Sequence, residues 1–197
     1  DFELTNDQKI AIDQINSDLK SNQKMFRLLQ GDVGSGKTIV ALIAAANVIS
    51  SGFQVCLMAP TEILAKQHYT LANKLFDKNI NIKILTSKTE YKERNTILKD
   101  LKSNQINILI GTHSLFQEKI KYGSLGLIII DEQHKFGVKQ RKKLSDKGGE
   151  NCDVLVMSAT PIPRTMIMTI FGDMDTSIIK NKPKNRKEIK TYSKLES

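Results

Sequence analysis

Apolar residues gather along this chain in short runs, separated by longer stretches where they recur every three or four positions. The runs are Phe26–Gln30, Gln54–Ala59, Asn81–Thr86, Asn107–Gly111, Leu125–Asp131, Asp153–Ser158 and, more weakly, Thr176–Ile179. Short segments rich in Val, Ile and Leu suit strands buried on both faces, and LGLIIID over 125–131 is the clearest of them. The intervening stretches predict helices over Asp7–Asp18, Lys37–Ser50, Glu62–Asp77, Lys88–Lys102 and Arg164–Phe171. In the first of these, Ile12, Ile15 and Leu19 share a face. Strands alternating with helices imply right-handed crossovers, hence an α/β fold with a mostly parallel sheet covered on both sides. Ligands of such sheets bind at the carboxyl ends of the strands, and candidate chemistry is sought there.

Composition changes this picture little. The chain has 197 residues, 40% of them hydrophobic, enough for one domain with a sizeable core. No apolar run reaches the roughly 18 residues of a membrane span. The polar, acidic start Asp1–Asn6 does not resemble a secretory leader, and the missing initiator Met suggests a processed or excised piece. Cys56 and Cys152 each lie in an apolar stretch and read as buried small hydrophobes in a reducing, cytoplasmic setting.

Charge is more informative. The net charge is +9, yet residues 1–134 carry 16 basic and 14 acidic side chains. The excess lies in Lys135–Lys147, with six basic residues against one acidic, and in the last 18 residues, with seven against two. The tail lacks apolar periodicity and contains Pro183, so it reads as a solvated linker. Lys135–Lys147 suits either a contact with DNA or another domain, or a solvated helix face.

Gly31-Asp-Val-Gly34-Ser35-Gly36-Lys37-Thr38 fits G-x-x-x-x-G-K-[ST], and it stands where the pattern requires, between a strand and a helix. The glycines let backbone N–H groups converge on phosphate oxygens, and the helix start adds its positive dipole end. Lys37 supplies a cation for the β- and γ-phosphates, and Thr38 a hydroxyl for Mg²⁺. A structural glycine-rich turn is the alternative, and the context disfavours it. About 95 residues on, the apolar strand 125–131 ends in Asp131 and Glu132. Asp131 suits a water-bridged Mg²⁺ ligand and Glu132 a group that polarises attacking water, although paired carboxylates also serve as helix caps.

Gln133 and His134 complete Asp131-Glu132-Gln133-His134. Together with LLQGDVGSGKT (28–38), MAPTEILAKQHY (58–69), IGTHSLFQ (110–117), LGLIIIDEQHKFGVKQR (125–141) and MSATPIPRT (157–165), this segment carries a specific likeness. The chain resembles the first RecA-like lobe of a superfamily 2 helicase or translocase, and within it the helicases that remodel branched DNA. The transcription-repair coupling translocase shares ATPIPRT, but its motif resembles D-E-E-H, so Gln133 and the PTEILA wording favour the branched-DNA helicases.

The resemblance implies a three-layer P-loop NTPase (RecA-like) domain over 1–179 and a basic linker over 180–197, leading towards a second lobe not contained in the sequence. It implies ATP and Mg²⁺ as cofactors. Nucleotide binding would rest on Gln8, Gly31, Gly34, Ser35, Gly36, Lys37 and Thr38, with Gln8 reading the adenine edge unless it is merely a polar helix-start residue. Thr38 and, through water, Asp131 would hold the metal, and Lys37, Asp131 and Glu132 would be catalytic. Thr61, Thr112 and His113 would grip the nucleic-acid backbone, although Thr61 also suits a helix cap. His134, Ser158 and Thr160 would couple nucleotide state to DNA. Lys135 stands where relatives commonly have Arg, which keeps the charge and loses bidentate geometry. The three histidines lack the spacing of zinc ligands.

The expected partners are branched or duplex DNA and the second lobe and wedge domain of a longer, cytoplasmic, monomeric protein, with no membrane. In such enzymes the second lobe supplies arginines worth about 10³–10⁵ in rate. This lobe by itself is therefore expected to hydrolyse ATP barely. The remaining alternative is a non-hydrolysing nucleotide- or DNA-binding module, which would have no use for Glu132.

Overall fold

The computed structural model describes residues 3–116, 120–131, 152–160 and 174–181. Glu132, Gln133, His134, the basic segment 135–147, the expected helix over 164–171 and the tail from residue 182 lie outside the described residues.

All seven expected strands are present: β1 (Phe26–Gly31), β2 (Gln54–Met58), β3 (Ile82–Leu85), β4 (Ile108–Gly111), β5 (Leu125–Asp131), β6 (Asp153–Ser158) and β7 (Asp175–Ile179). They form one sheet in the order β3-β4-β2-β5-β6-β1-β7, and every neighbouring pair is parallel. The helices are α1 (Asn6–Leu19), α2 (Lys37–Ser50), α3 (Glu62–Leu75) and α4 (Tyr91–Lys102). Helix α4 starts three residues later than its apolar spacing predicts. Thr86 N donates to the Thr89 hydroxyl at 3.0 Å and Lys88 N to the Thr86 hydroxyl at 3.3 Å, so a local turn competes with the first helical turn. A short 3-10 turn, His113–Phe116, has no periodic signal and was not expected.

Successive residues of the central strands feed two separate cores, which explains their unbroken apolar runs. On one face Leu29, Leu57, Ile129 and Leu155 pack with Ala11 and Ile15 of α1, Ala41, Ala44 and Ala45 of α2, and Ala65 and Ala72 of α3. On the other, Leu28, Cys56, Ile128 and Val156 pack with Ile97 and Leu101 of α4. Three layers result, as the resemblance implied. The buried stripe of α1 runs Gln8, Ala11, Ile15, so Ile12 and Leu19 sit at its margin and a glutamine sits inside it.

The polar start of β2 is also built in. Buried Gln54 donates to the Leu101 and Ile106 carbonyls at 2.9 and 2.8 Å and accepts from Gly123 N and Ser124 N at 2.9 and 3.1 Å. Both cysteines are buried free thiols. Burial pushes the Cys152 thiol up to about 12.

Strands β5 and β6 are inserted between β1 and β2, which are consecutive in sequence. The chain therefore reverses its direction of travel across the sheet next to β1, and a crevice opens at the carboxyl ends there.

Candidate nucleotide and nucleic-acid site

The phosphate loop leaves β1 and re-enters as α2. Gly34 and Gly36 have φ of +77° and +89°, a region closed to most side chains, and Gly36 is the N-cap of α2 with no side chain capping the helix. That uncapped helix start is the arrangement that receives an anion. The Lys37 ammonium is buried and donates to the carbonyls of Gly31 at 2.6 Å and Asp32 at 3.1 Å, which fixes it at the loop. Gly31 is required because a Cβ there would stand 2.6 Å from Ser35 Oγ and 2.9 Å from the Ile179 carbonyl. Ser35 is fully buried, and its hydroxyl has no hydrogen-bond partner among the described residues. An orphaned donor costs about 1–3 kcal/mol, so this loop is better satisfied with an oxyanion than without one. Thr38 follows on the first turn of α2.

Asp131 ends β5 with its carboxylate nearly buried. Its Oδ2 lies 2.6 Å from His68 Nε2, the side chains being 12% and 8% exposed respectively. An ionised carboxylate only accepts, so the imidazole donates through Nε2–H. Strand β6 runs between β5 and β1, and its end delivers Ser158 and Thr160 between Asp131 and the phosphate loop. The Ser158 hydroxyl donates to the Thr160 carbonyl at 3.2 Å, and Gln30 Nε2 reaches the same carbonyl at 3.4 Å. The carboxylate and the loop thus face one crevice from strands separated by a single strand, about 10 Å across. Their expected companions Glu132 and His134 lie outside the described residues.

Gln8 stands at the start of α1, against the phosphate loop. It is fully buried, with Thr5 and Gln8 forming a reciprocal capping box at the start of α1. Gln8 Oε1 accepts from Thr5 N at 2.9 Å, and Nε2 donates to the Ser35 carbonyl at 2.7 Å. Each end of the amide makes one hydrogen bond to the protein, and one of them braces the phosphate loop. The neighbouring Asp7 carboxylate accepts from Lys180 N and Asn181 N, both at 2.9 Å, tying the chain after β7 to the same helix start.

Thr61 and Thr112, 51 residues apart in sequence, follow the ends of the neighbouring strands β2 and β4, where Ala59 N donates to the Gly111 carbonyl at 2.8 Å. Thr61 is exposed, and its hydroxyl caps α3 by accepting from Leu64 N at 3.2 Å. The backbone of His113 opens the 3-10 turn beside them. Three to four strand spacings, about 14–19 Å, separate this pair from the phosphate loop along the same edge of the sheet.

The sequence reading missed His68, which it weighed only as a metal ligand. Its position three after Ala65 and four before Ala72 puts it on the buried face of α3, and that spacing was the available signal. It also missed Arg27, which is buried in β1. Its Nε donates to Asp18 of α1 at 2.6 Å and its Nη1 to Ser177 of β7 at 3.0 Å, while Ser177 donates to Gln14 at 2.5 Å.

An all-parallel sheet with a phosphate loop after one strand and a carboxylate at the tip of the next but one defines the P-loop class of nucleotide-binding domain. The DEAD/DEAH box helicase family model matches residues 5–169, and the chain belongs to that family. It is 51% identical to the ATP-dependent DNA helicase RecG of Bacillus subtilis and 50% identical to that of Borreliella burgdorferi, over 97% of this chain and 28% of either relative. Among solved structures it is similar to RecG bound to a three-way DNA junction, with a TM-score of 0.82 and 44% identity over 96% of this chain and 25% of that one. The chain thus spans about a quarter of the length of these relatives and corresponds to their first helicase lobe. The Hef helicase domain of Pyrococcus furiosus shares the fold at 19% identity and a TM-score of 0.60. Among the described residues, no helix is long and apolar enough to cross a membrane.

Proposed function

We propose that this chain is the ATP-binding lobe of an ATP-dependent DNA helicase that remodels branched DNA, such as forks and junctions, in recombination and repair. One observation carries the reading: a loop-anchored Lys37 and a His68-held Asp131 face the same crevice across β6. In it Gly34, Ser35, Gly36 and Lys37 cradle the phosphates, and Gln8 supports the loop from behind. Thr38 and, through water, Asp131 would hold Mg²⁺, which would supply charge neutralisation at the phosphates. Glu132 polarises the attacking water. Thr61, Thr112 and His113 grip the DNA backbone without reading sequence. Ser158 and Thr160, with His134, pass the nucleotide state between the two regions.

The relatives' greater length leaves room for a second lobe and a DNA-wedge domain, and the protein acts in the cytoplasm as a monomer. A split ATPase of this kind is tested by turnover. The chain alone is expected to hydrolyse ATP barely, with or without forked DNA. Extended through a second lobe, it should show DNA-stimulated turnover that Glu132→Gln abolishes. Brisk DNA-stimulated hydrolysis by the 197 residues alone would contradict the missing-arginine argument.

A further inference from the structure

Helix α3 begins at the sheet's DNA-facing edge, yet two turns later it sends a histidine to the nucleotide side. His68 Nε2 stands 2.6 Å from Asp131 Oδ2, and both groups are nearly sealed from solvent. Water screens such a contact little, and a carboxylate at a strand tip has a free torsion that something must fix. Asp131 is the last residue of β5. His68 itself is held on the stripe Ala65, His68, Ala72 that packs α3 onto the sheet.

We infer that His68 is a positioning residue for the metal-holding carboxylate: by occupying Oδ2 it presents Oδ1 of Asp131 to the metal's water shell. The inference rests on the proposed reading of Asp131. Groups that orient a metal-binding carboxylate typically account for 10–100-fold in metal affinity. A solely structural histidine would contribute to stability and leave the metal dependence of nucleotide binding alone.

Two measurements on the chain itself separate these roles. Binding of a fluorescent ATP analogue, followed against Mg²⁺ concentration, is compared for the unaltered chain, His68→Phe, His68→Gln and Asp131→Asn. Phenylalanine keeps the ring volume without a donor, while glutamine can return an N–H near the Nε2 position. His68→Phe is expected to raise the half-saturating Mg²⁺ about tenfold or more, with binding in excess EDTA unchanged, and His68→Gln to recover most of the loss. If Asp131→Asn shifts the Mg²⁺ dependence and His68→Phe does not, the positioning role is refuted and the reading of Asp131 stands. If neither shifts it, the reading of Asp131 falls and takes this inference with it. Nitrogen-15 NMR of the unaltered chain gives a second test, which needs neither a variant that folds nor bound nucleotide. The His68 ring must carry its proton on Nε2 with that proton shifted downfield, and a bare Nε2 would overturn the proposal.

Discussion

At the scale of single residues, the site is held by polar side chains that each serve two neighbours. Gln8 closes the capping box of α1 with one end of its amide and supports Ser35 of the phosphate loop with the other. Replacing it with Ala leaves Thr5 N and the Ser35 carbonyl without these partners in a buried setting. Gln8→Ala should therefore cost about 1–3 kcal/mol of stability, read from denaturant unfolding, and should weaken nucleotide binding through a slackened loop. An adenine-reading role predicts a different result, namely lost preference for ATP over GTP with stability intact. Comparing the two nucleotides in the same titration separates the outcomes.

At the scale of elements, the sheet is ordered by a few buried polar clasps as well as by apolar packing. Arg27 joins β1 to α1 through Asp18 and to β7 through Ser177, so an edge strand and the first helix share one clasp. Gln54 does the same at the amino edge, where its four hydrogen bonds reach backbone groups in the last turn of α4, just after it and just before β5. An isosteric apolar residue cannot replace it, because the Ile106 carbonyl and Ser124 N would lose this partner, while the Leu101 carbonyl and Gly123 N still bond each other at 3.3 Å. Gln54→Leu is expected to destabilise by about 2 kcal/mol or more despite its favourable hydrophobicity, measured as a shift in the urea midpoint at unchanged slope. A change within 1 kcal/mol (roughly the net worth of one hydrogen bond) would show that water takes over the Ile106 carbonyl and Ser124 N.

At the scale of the whole molecule, the two ends of the sheet divide the work. The carboxyl ends carry the phosphate loop, Asp131, Thr61 and Thr112, and the amino ends carry contacts that only hold the fold. Asp153, which starts β6 and accepts from Met25 N at 2.7 Å, belongs to the second set. Burial outweighs that hydrogen bond and raises its pKa above the ordinary carboxylate value. The folded state thus binds this proton more readily than the unfolded chain does. The group's contribution is fully present below the unfolded value and is lost as pH rises through the folded one. Asp153→Asn keeps an acceptor for Met25 N and removes the titration. The stability of the variant relative to the unaltered chain should rise as pH increases from the ordinary carboxylate value through the raised one, followed by thermal midpoints. A difference that stays flat over that range would mean the carboxyl is not perturbed.

The sequence by itself determined the class of fold, all seven strands and the identity of the phosphate loop. Those features are local, since strand burial shows as unbroken apolar runs and loop curvature shows as glycines at fixed spacing before Lys37. It also placed Asp131 at a strand tip. Tertiary structure alone decided strand order, and with it that β6 separates Asp131 from the loop and that Thr61 and Thr112 follow neighbouring strands. It likewise decided the partners of polar residues, because a buried histidine, glutamine or arginine looks the same in sequence as an exposed one. His68 finds Asp131 across 63 residues, Gln8 finds Ser35 across 27 and Arg27 finds Ser177 across 150. Pairings at such separations follow from how helices lie on the sheet, which no local pattern encodes.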